Sequence, residues 1–294
     1  MTKEVKKNFR NLEDLREYLG KTKKMKIFIG WDSKEDIAYQ VAKHSILRRT
    51  KSNVEIIPIR QHELRAAGIY TRPLDKKAST EFSLTRFMVP TLCDFKGWAV
   101  FCDCDFLWLC DIKEIFDMAD KKYAVMCVQH DYKPTEEIKM DGQQQYVYPR
   151  KNWSSMVLWN CDHPQTKILT KEAVNHQKPS WLHRFEWLED EEIGKIPFQY
   201  NYLEGWYKSN DAKVVHYTRG GPWFEDMYIP EDIGLKSWHD LDYAKEWKTE
   251  ELSYLKTLLT PHNYHSINRR LPVSKGGIHP EYDYAHERFW KHKK

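Results

Sequence analysis

Val100-Phe101-Cys102-Asp103-Cys104-Asp105-Phe106-Leu107-Trp108 is apolar and aromatic, as a strand buried on both faces should be, yet it carries two carboxylates one residue apart. At strand period Asp103 and Asp105 point the same way. Two like charges about 4 Å apart repel by roughly 4 kcal/mol at an effective dielectric of about 20. A shared proton, a neighbouring cation, a metal ion or water at a strand end must offset that repulsion. Two readings follow. In one, the pair holds a metal at the end of a buried strand; in the other, the strand stops at Cys102 and the aspartates cap a solvated turn.

Working outward, Lys26-Ile27-Phe28-Ile29-Gly30 reads as a first buried strand that ends at Trp31-Asp32-Ser33. A helical pattern follows through Ala38, Val41, Ala42 and Ile46, and residues 54–59 form the next strand. Strand, helix, strand at this spacing begins a parallel α/β sheet, in which ligands bind beyond the carboxyl ends of the strands, where Asp32 falls. A polar loop over 60–80 precedes a predicted helix over 79–92, and the carboxylate strand leads into a short helix over 112–118. Residues 124–128 form a further strand running into His130-Asp131, and 132–150 read as a polar loop suited to an active site. The pattern then predicts a strand over 153–159, helices over 165–175 and 181–192, strands over 197–203 and 212–217, and a helix over 241–259.

The 294 residues suffice for one large α/β domain with a sizeable core. A basic N-terminal segment, 1–24, precedes the domain at 25–230, and a helical and irregular extension covers 231–294. The 12 Trp and 17 Tyr suit carbohydrate or nucleobase faces as well as core packing. A formal net charge of +4 does not by itself imply nucleic acid. The 6 cysteines form no paired knuckles, which argues against structural zinc and for reduced thiols in a cytoplasmic protein. No apolar run is long enough to span a bilayer. The amphipathic segment at Leu12, Leu15, Tyr18 and Leu19 reads as a peripheral helix, with contact to a membrane surface as the alternative.

Hard carboxylate ligands select Mg²⁺ or Mn²⁺, and a histidine among them favours Mn²⁺. The best-placed histidine is His216, which closes a strand-like run in Val214-Val215-His216-Tyr217-Thr218-Arg219-Gly220-Gly221-Pro222-Trp223. There, amides freed by Gly220 and Gly221 can cradle an anion, with Arg219 adding charge. Metal, amide-rich turn and arginine together describe a diphosphate site.

In this order the residues resemble the GT-A-fold, nucleotide-sugar-dependent glycosyltransferases, and within them the glycogenin and lipopolysaccharide galactosyltransferase group (family 8-like). The resemblance spans about residues 26–225 and implies a Rossmann-like, mixed but mostly parallel sheet flanked by helices. It further implies that Asp103, Asp105 and His216 hold the metal. Gly30, Asp32, Thr85, Arg86, Asp103, Ser154, Ser155, Arg219, Gly220, Gly221 and Trp223 would bind the nucleotide and its sugar, with Asp32 at the uridine. Asp131, Asp190 and Arg86 would carry catalysis, the two carboxylates by holding sugar hydroxyls.

Each residue also suits a plainer role: Asp32 as a helix N-cap, Arg86 paired with a carboxylate on the next turn, Asp190 in a solvated acidic helix, Ser154 and Ser155 as small packing residues. The chain departs from the family pattern at Ser154-Ser155-Met156, where Asn-Ala-Gly is usual. It departs again at Gly221, where a lysine is usual. The resemblance implies transfer from a UDP-sugar to a hydroxyl acceptor with retention. A glycan is the first expectation for the acceptor, and a hydroxylated base in DNA, met by the basic tail, is the alternative. A non-catalytic nucleotide-sugar-binding protein on the same fold is the other class considered.

Overall fold

A computed structural model of the chain describes residues 11–74, 78–133, 148–224 and 237–258. The apolar run after Met25 becomes β1 (Met25–Trp31), in which Ile27, Phe28 and Ile29 are fully buried. It pairs in parallel with β2 (Val54–Arg60) on one side and β3 (Trp98–Cys102) on the other. The remaining strands are β4 (Phe106–Trp108), β5 (Val125–Cys127), β6 (Met156–Asn160), β7 (Ile193–Lys195), β8 (Tyr202–Leu203) and β9 (Val214–His216).

Two sheets result. The six-stranded sheet runs β2-β1-β3-β6-β5-β7, and β6 alone is reversed. The three-stranded sheet runs β4-β9-β8. The expected mixed, mostly parallel sheet is therefore present. The small second sheet divides the apolar interior. The main core fills the large sheet, and a second cluster joins Ala38, Val41, Leu107, Val215, Trp223 and Trp247. Helix Asp36–Arg49 serves both, because Tyr39 and Ile46 face the first cluster while Ala38 and Val41 face the second.

Several helical expectations are shortened. Residues 79–92 form turns, a 3₁₀ turn at Thr85–Met88 and one helical turn at Val89–Leu92. The segment 181–192 is not one helix: Pro179–His183 ends, Phe185 takes a left-handed φ of 49°, and a 3₁₀ turn follows at Asp190–Glu192. The strand expected from 153 begins at Met156, after a 3₁₀ turn at Trp153–Ser155. The helix expected over 165–175 is a 3₁₀ turn at Pro164–Ile168 and a helix at Lys171–His176, and the strand expected from 197 is a 3₁₀ turn, Phe198–Asn201, leading into β8.

Helix Leu12–Lys21 buries Leu15 and Leu19 in the main core, so its apolar face is already covered by protein. Helix Ala244–Leu258 lies against helix Asp36–Arg49 and buries Trp247 in the second cluster. The basic aromatic tail from 261, and with it the DNA alternative, lies outside the described residues, as do 134–147 of the polar loop. Among the described residues no helix is long and apolar enough to cross a membrane.

Candidate metal and donor site

The carboxyl ends of β1, β3 and β5 open at one edge of the large sheet, where β6 begins. β3 stops at Cys102, and Asp103-Cys104-Asp105 is the turn by which the chain leaves one sheet for the other. The same-face strand geometry expected of the two aspartates is therefore replaced by a turn. That turn is not solvated either: the two side chains are only 13% and 18% exposed. Both sheets pin it. The Asp103 amide donates to Ser155 O at 2.9 Å, and the Tyr217 amide donates to Asp105 O at 3.0 Å.

On this turn the carboxylates converge with His216, the last residue of β9, which pairs with Phe106 in register. Ligand atoms of Asp103, Asp105 and His216 lie within 4.8 Å of one another, and His216 Nε2 is 3.4 Å from Asp105 Oδ2. Phe106 stacks on the imidazole at 4.3 Å between centroids.

Arg86 supplies the neighbouring cation. Its Nη1 is 2.7 Å from Asp103 Oδ1, and the guanidinium donates to Ser83 O and Ser154 O, each at 3.0 Å. It lies over the rings of Phe82 and Phe101. Gly30 belongs to the same construction, because a Cβ there would meet the Phe82 ring at 2.3 Å. Arg86 thus does pair with a carboxylate, on the turn after β3 rather than on the next turn of its own segment.

Burial raises the Asp103 carboxyl to about 6 and Asp105 adds to that rise, against the opposing pull of Arg86 and His216. Asp103 Oδ1 is buried and takes the ion pair without a directed hydrogen bond. Buried carboxylate oxygens and one imidazole nitrogen fit Mn²⁺ or Mg²⁺, so the donor set is chemically suited to the expected metal.

The other expected residues divide. Asp32 is 5% exposed, and its oxygens accept from the amides of Lys34 and Glu81 at 2.9 and 3.0 Å. It therefore ties the 80–81 turn to the end of β1 and does not cap the following helix. Asp32 also opens onto a cavity of about 680 Å³ walled by Tyr70, Thr80, Tyr148, His183 and Arg184 among others. Ser154 Oγ meets His183 Nδ1 at 3.0 Å, the Ser155 hydroxyl donates to Asn152 O at 2.6 Å, and Thr85 is fully buried.

Arg219 is committed to a buried ion pair with Glu204 at 2.6 Å. Gly220 has a φ of 111°; Gly221 makes room for the Trp223 ring, which packs on Trp247 in the second cluster. Asp131 and Asp190 both lie open to solvent. The Asp131 carboxylate is 95% exposed near Lys133, and Asp190 is 83% exposed and ion-paired with Arg150.

No family model matches this sequence. Protein CDI of Arabidopsis thaliana is 53% identical over 240 residues, covering 80% of this chain and 88% of that one. The chain belongs to the Protein CDI family. Among solved structures, the apo-form glycosyltransferase GlyE of Streptococcus pneumoniae TIGR4 superposes with a TM-score of 0.51 at 13% identity, over 87% of this chain and 66% of that one. The bifunctional WbbM structure gives 0.49 at 13% identity over 84% of this chain, which spans only 51% of the WbbM chain. The likeness to GlyE shows that this member of the CDI family has the fold of the GT-A glycosyltransferases.

The CDI-family chain also carries site residues that sequence reading passed over. Asn201 is fully buried and contacts both Ser155 and His216. His130, next to the exposed Asp131, is 5% exposed; its Nδ1 lies 2.9 Å from the Tyr207 hydroxyl, while its Nε2 is buried with no hydrogen bond. Burial pushes the His130 imidazole down to about 3. A polar residue inside an apolar run was the one available signal, and neither residue stands in such a run.

Proposed function

We propose that this chain is a metal-dependent glycosyltransferase that moves a sugar from a nucleotide diphosphate donor, a UDP-sugar by preference, to a hydroxyl of a glycan, with retention. The observation that carries this is the convergence of Asp103, Asp105 and His216 beside Arg86, at the strand-end edge of a GT-A fold.

Asp103, Asp105 and His216 would hold Mn²⁺ or Mg²⁺. A divalent ion there supplies positive charge to the diphosphate as the nucleotide leaves. Arg86, held by two carbonyls and two rings, stands ready to share that charge without reorganising. The cavity beginning at Asp32 has the volume and the mixed aromatic and polar wall that a nucleoside requires. The Ser154 carbonyl and the Phe82 ring, for which Gly30 makes room, hold Arg86 in place. On this reading Asp131 and Asp190, both open to solvent, meet sugar hydroxyls, and the 219–223 turn stands near the phosphates. Retention follows the family resemblance, and no covalent nucleophile is assigned.

The test is a panel of nucleotide sugars with Mn²⁺, followed by calorimetry and by release of free nucleotide. The wild-type chain is expected to bind one donor in a Mn²⁺-dependent manner and to hydrolyse it slowly. Asp103→Ala should keep the fold and lose at least about a hundredfold in activity, on the scale of removing a group that stabilises charge in the transition state. A chain that ignores every nucleotide sugar with Mn²⁺ present, or an Asp103→Ala variant as active as wild type, overturns the proposal.

A further inference from the structure

His216 has two ring nitrogens, and only a nitrogen without a proton can bind a metal. Which nitrogen carries the proton is decided one residue further out. The Ser155 hydroxyl has a single hydrogen, directed to Asn152 O at 2.6 Å. Asn201 Nδ2, 2.9 Å from that same hydroxyl oxygen, must therefore be the donor in their contact. This fixes the amide, so that Asn201 Oδ1 faces His216 Nδ1 at 2.9 Å. An amide oxygen only accepts, so Nδ1 carries a proton, and Nε2, 3.4 Å from Asp105 Oδ2, is the nitrogen left to face a metal.

We infer that Asn201 is the positioning residue of the metal site: it holds His216 in the Nδ1–H tautomer, and through Ser155 it ties the histidine ligand to the aspartate ligands. The inference rests on the metal-dependent reading above. Ser155 is the hinge of the arrangement. Its carbonyl holds the Asp103 amide at 2.9 Å, while its hydroxyl orients Asn201. One serine at the mouth of β6 thereby sets a ligand on β3's turn and, through Asn201, a ligand on β9. Asn201 is fully buried between the two sheets, and Phe106 holds the plane of the imidazole it orients. Partners of this kind typically change metal affinity by about 10- to 100-fold.

Two measurements test this without turnover. Histidine ¹⁵N spectra of the metal-free protein near neutral pH should show His216 as the Nδ1–H tautomer, and Mn²⁺ titration followed by electron paramagnetic resonance gives affinity directly. Asn201→Leu is expected to release the tautomer and weaken Mn²⁺ at least about tenfold. Asn201→Asp, whose carboxylate still accepts from Nδ1–H, should stay within about threefold of wild type on the same scale. A merely structural role predicts the reverse order, because it is the aspartate that places a new charge in a buried site.

Should Asn201→Leu fail to fold, Ser155→Ala serves in its place, with Mn²⁺ affinity expected to drop several-fold. An Nε2–H tautomer in wild type, or unchanged Mn²⁺ affinity in Asn201→Leu and Ser155→Ala, overturns the inference and leaves the glycosyltransferase reading standing. A wild-type chain with the expected tautomer that binds neither Mn²⁺ nor a nucleotide sugar removes that reading instead, and the metal-site role of Asn201 with it.

Discussion

Asp103 is held as a carboxylate in a place that resists charge, and Arg86 is the cation that makes this tolerable. Removing Arg86 leaves Asp103 and Asp105 close together in a mostly buried turn, and breaking a buried pair from one side costs about 3 kcal/mol. Arg86→Met should therefore lower unfolding free energy by about that amount at pH 7. The double variant Arg86→Met, Asp103→Asn should recover part of the loss, since it removes the Asp103 charge together with its partner. Urea unfolding of the four chains measures the coupling; simple additivity would show that the pair contributes nothing. The aspartates were legible because a charge inside an apolar run violates the pattern around it. Arg86 was legible only with the family's order as a guide. Asn201 was not legible, because in Phe198–Asn201 it looks like any turn asparagine, and its partners lie 46 and 15 residues away.

Among the elements, the long strands were read well because β1 and β3 carry apolar runs that are buried from Ile27 to Gly30 and from Ala99 to Cys102. The helical pattern over 181–192 misled for a physical reason. Trp181, Phe185 and Trp187 form an aromatic cluster with Trp159, and packing between rings positions Phe185 and Trp187 after the helix has ended at His183. Periodicity reports which residues are apolar but not what they pack against. Helix Ala244–Leu258 shows the complementary case, since its charged residues do internal work. Glu250 is 1% exposed and meets Arg49 Nη1 at 2.8 Å, with Arg48 and His44 each at 3.5 Å on helix Asp36–Arg49. Glu250→Ala should cost about 2 kcal/mol, less than a fully buried pair because Arg48 is half exposed. Hydrogen exchange should quicken first in 244–258. Uniform exchange across the chain would show instead that this helix opens only with the whole fold.

Over the whole molecule, the three-stranded sheet was the part hidden from sequence. Its strands are two or three residues long, and β4 finds β9 more than a hundred residues downstream. Yet the metal-site residues come together only because the chain crosses from one sheet to the other at Asp103-Cys104-Asp105. Building a buried polar site at that junction has a consequence for pH. His130 is neutral in the fold, its imidazole pushed down to about 3, whereas an unfolded histidine titrates near 6.5. Above that value neither state is protonated and His130 has no effect. Below it the unfolded chain gains a proton that the folded chain refuses, so stability falls by about 1.4 kcal/mol per pH unit until about pH 3.

His183, also pushed down to about 3 by burial, acts in the same direction, though its ring borders the cavity and its share is smaller. Asp103 acts oppositely. Raised to about 6, it gains its proton in the folded state before the unfolded one, and so adds stability as pH falls from about 6 towards 4. Metal bound to Asp103 keeps it ionised and cancels that contribution. Melting temperature measured from pH 7.5 to 4.5 should therefore fall towards acid, and fall more steeply with saturating Mn²⁺ than without it. His130→Asn should flatten both curves. If that variant keeps the full wild-type slope, His130 titrates normally in the fold and the dry interior assigned to it is wrong.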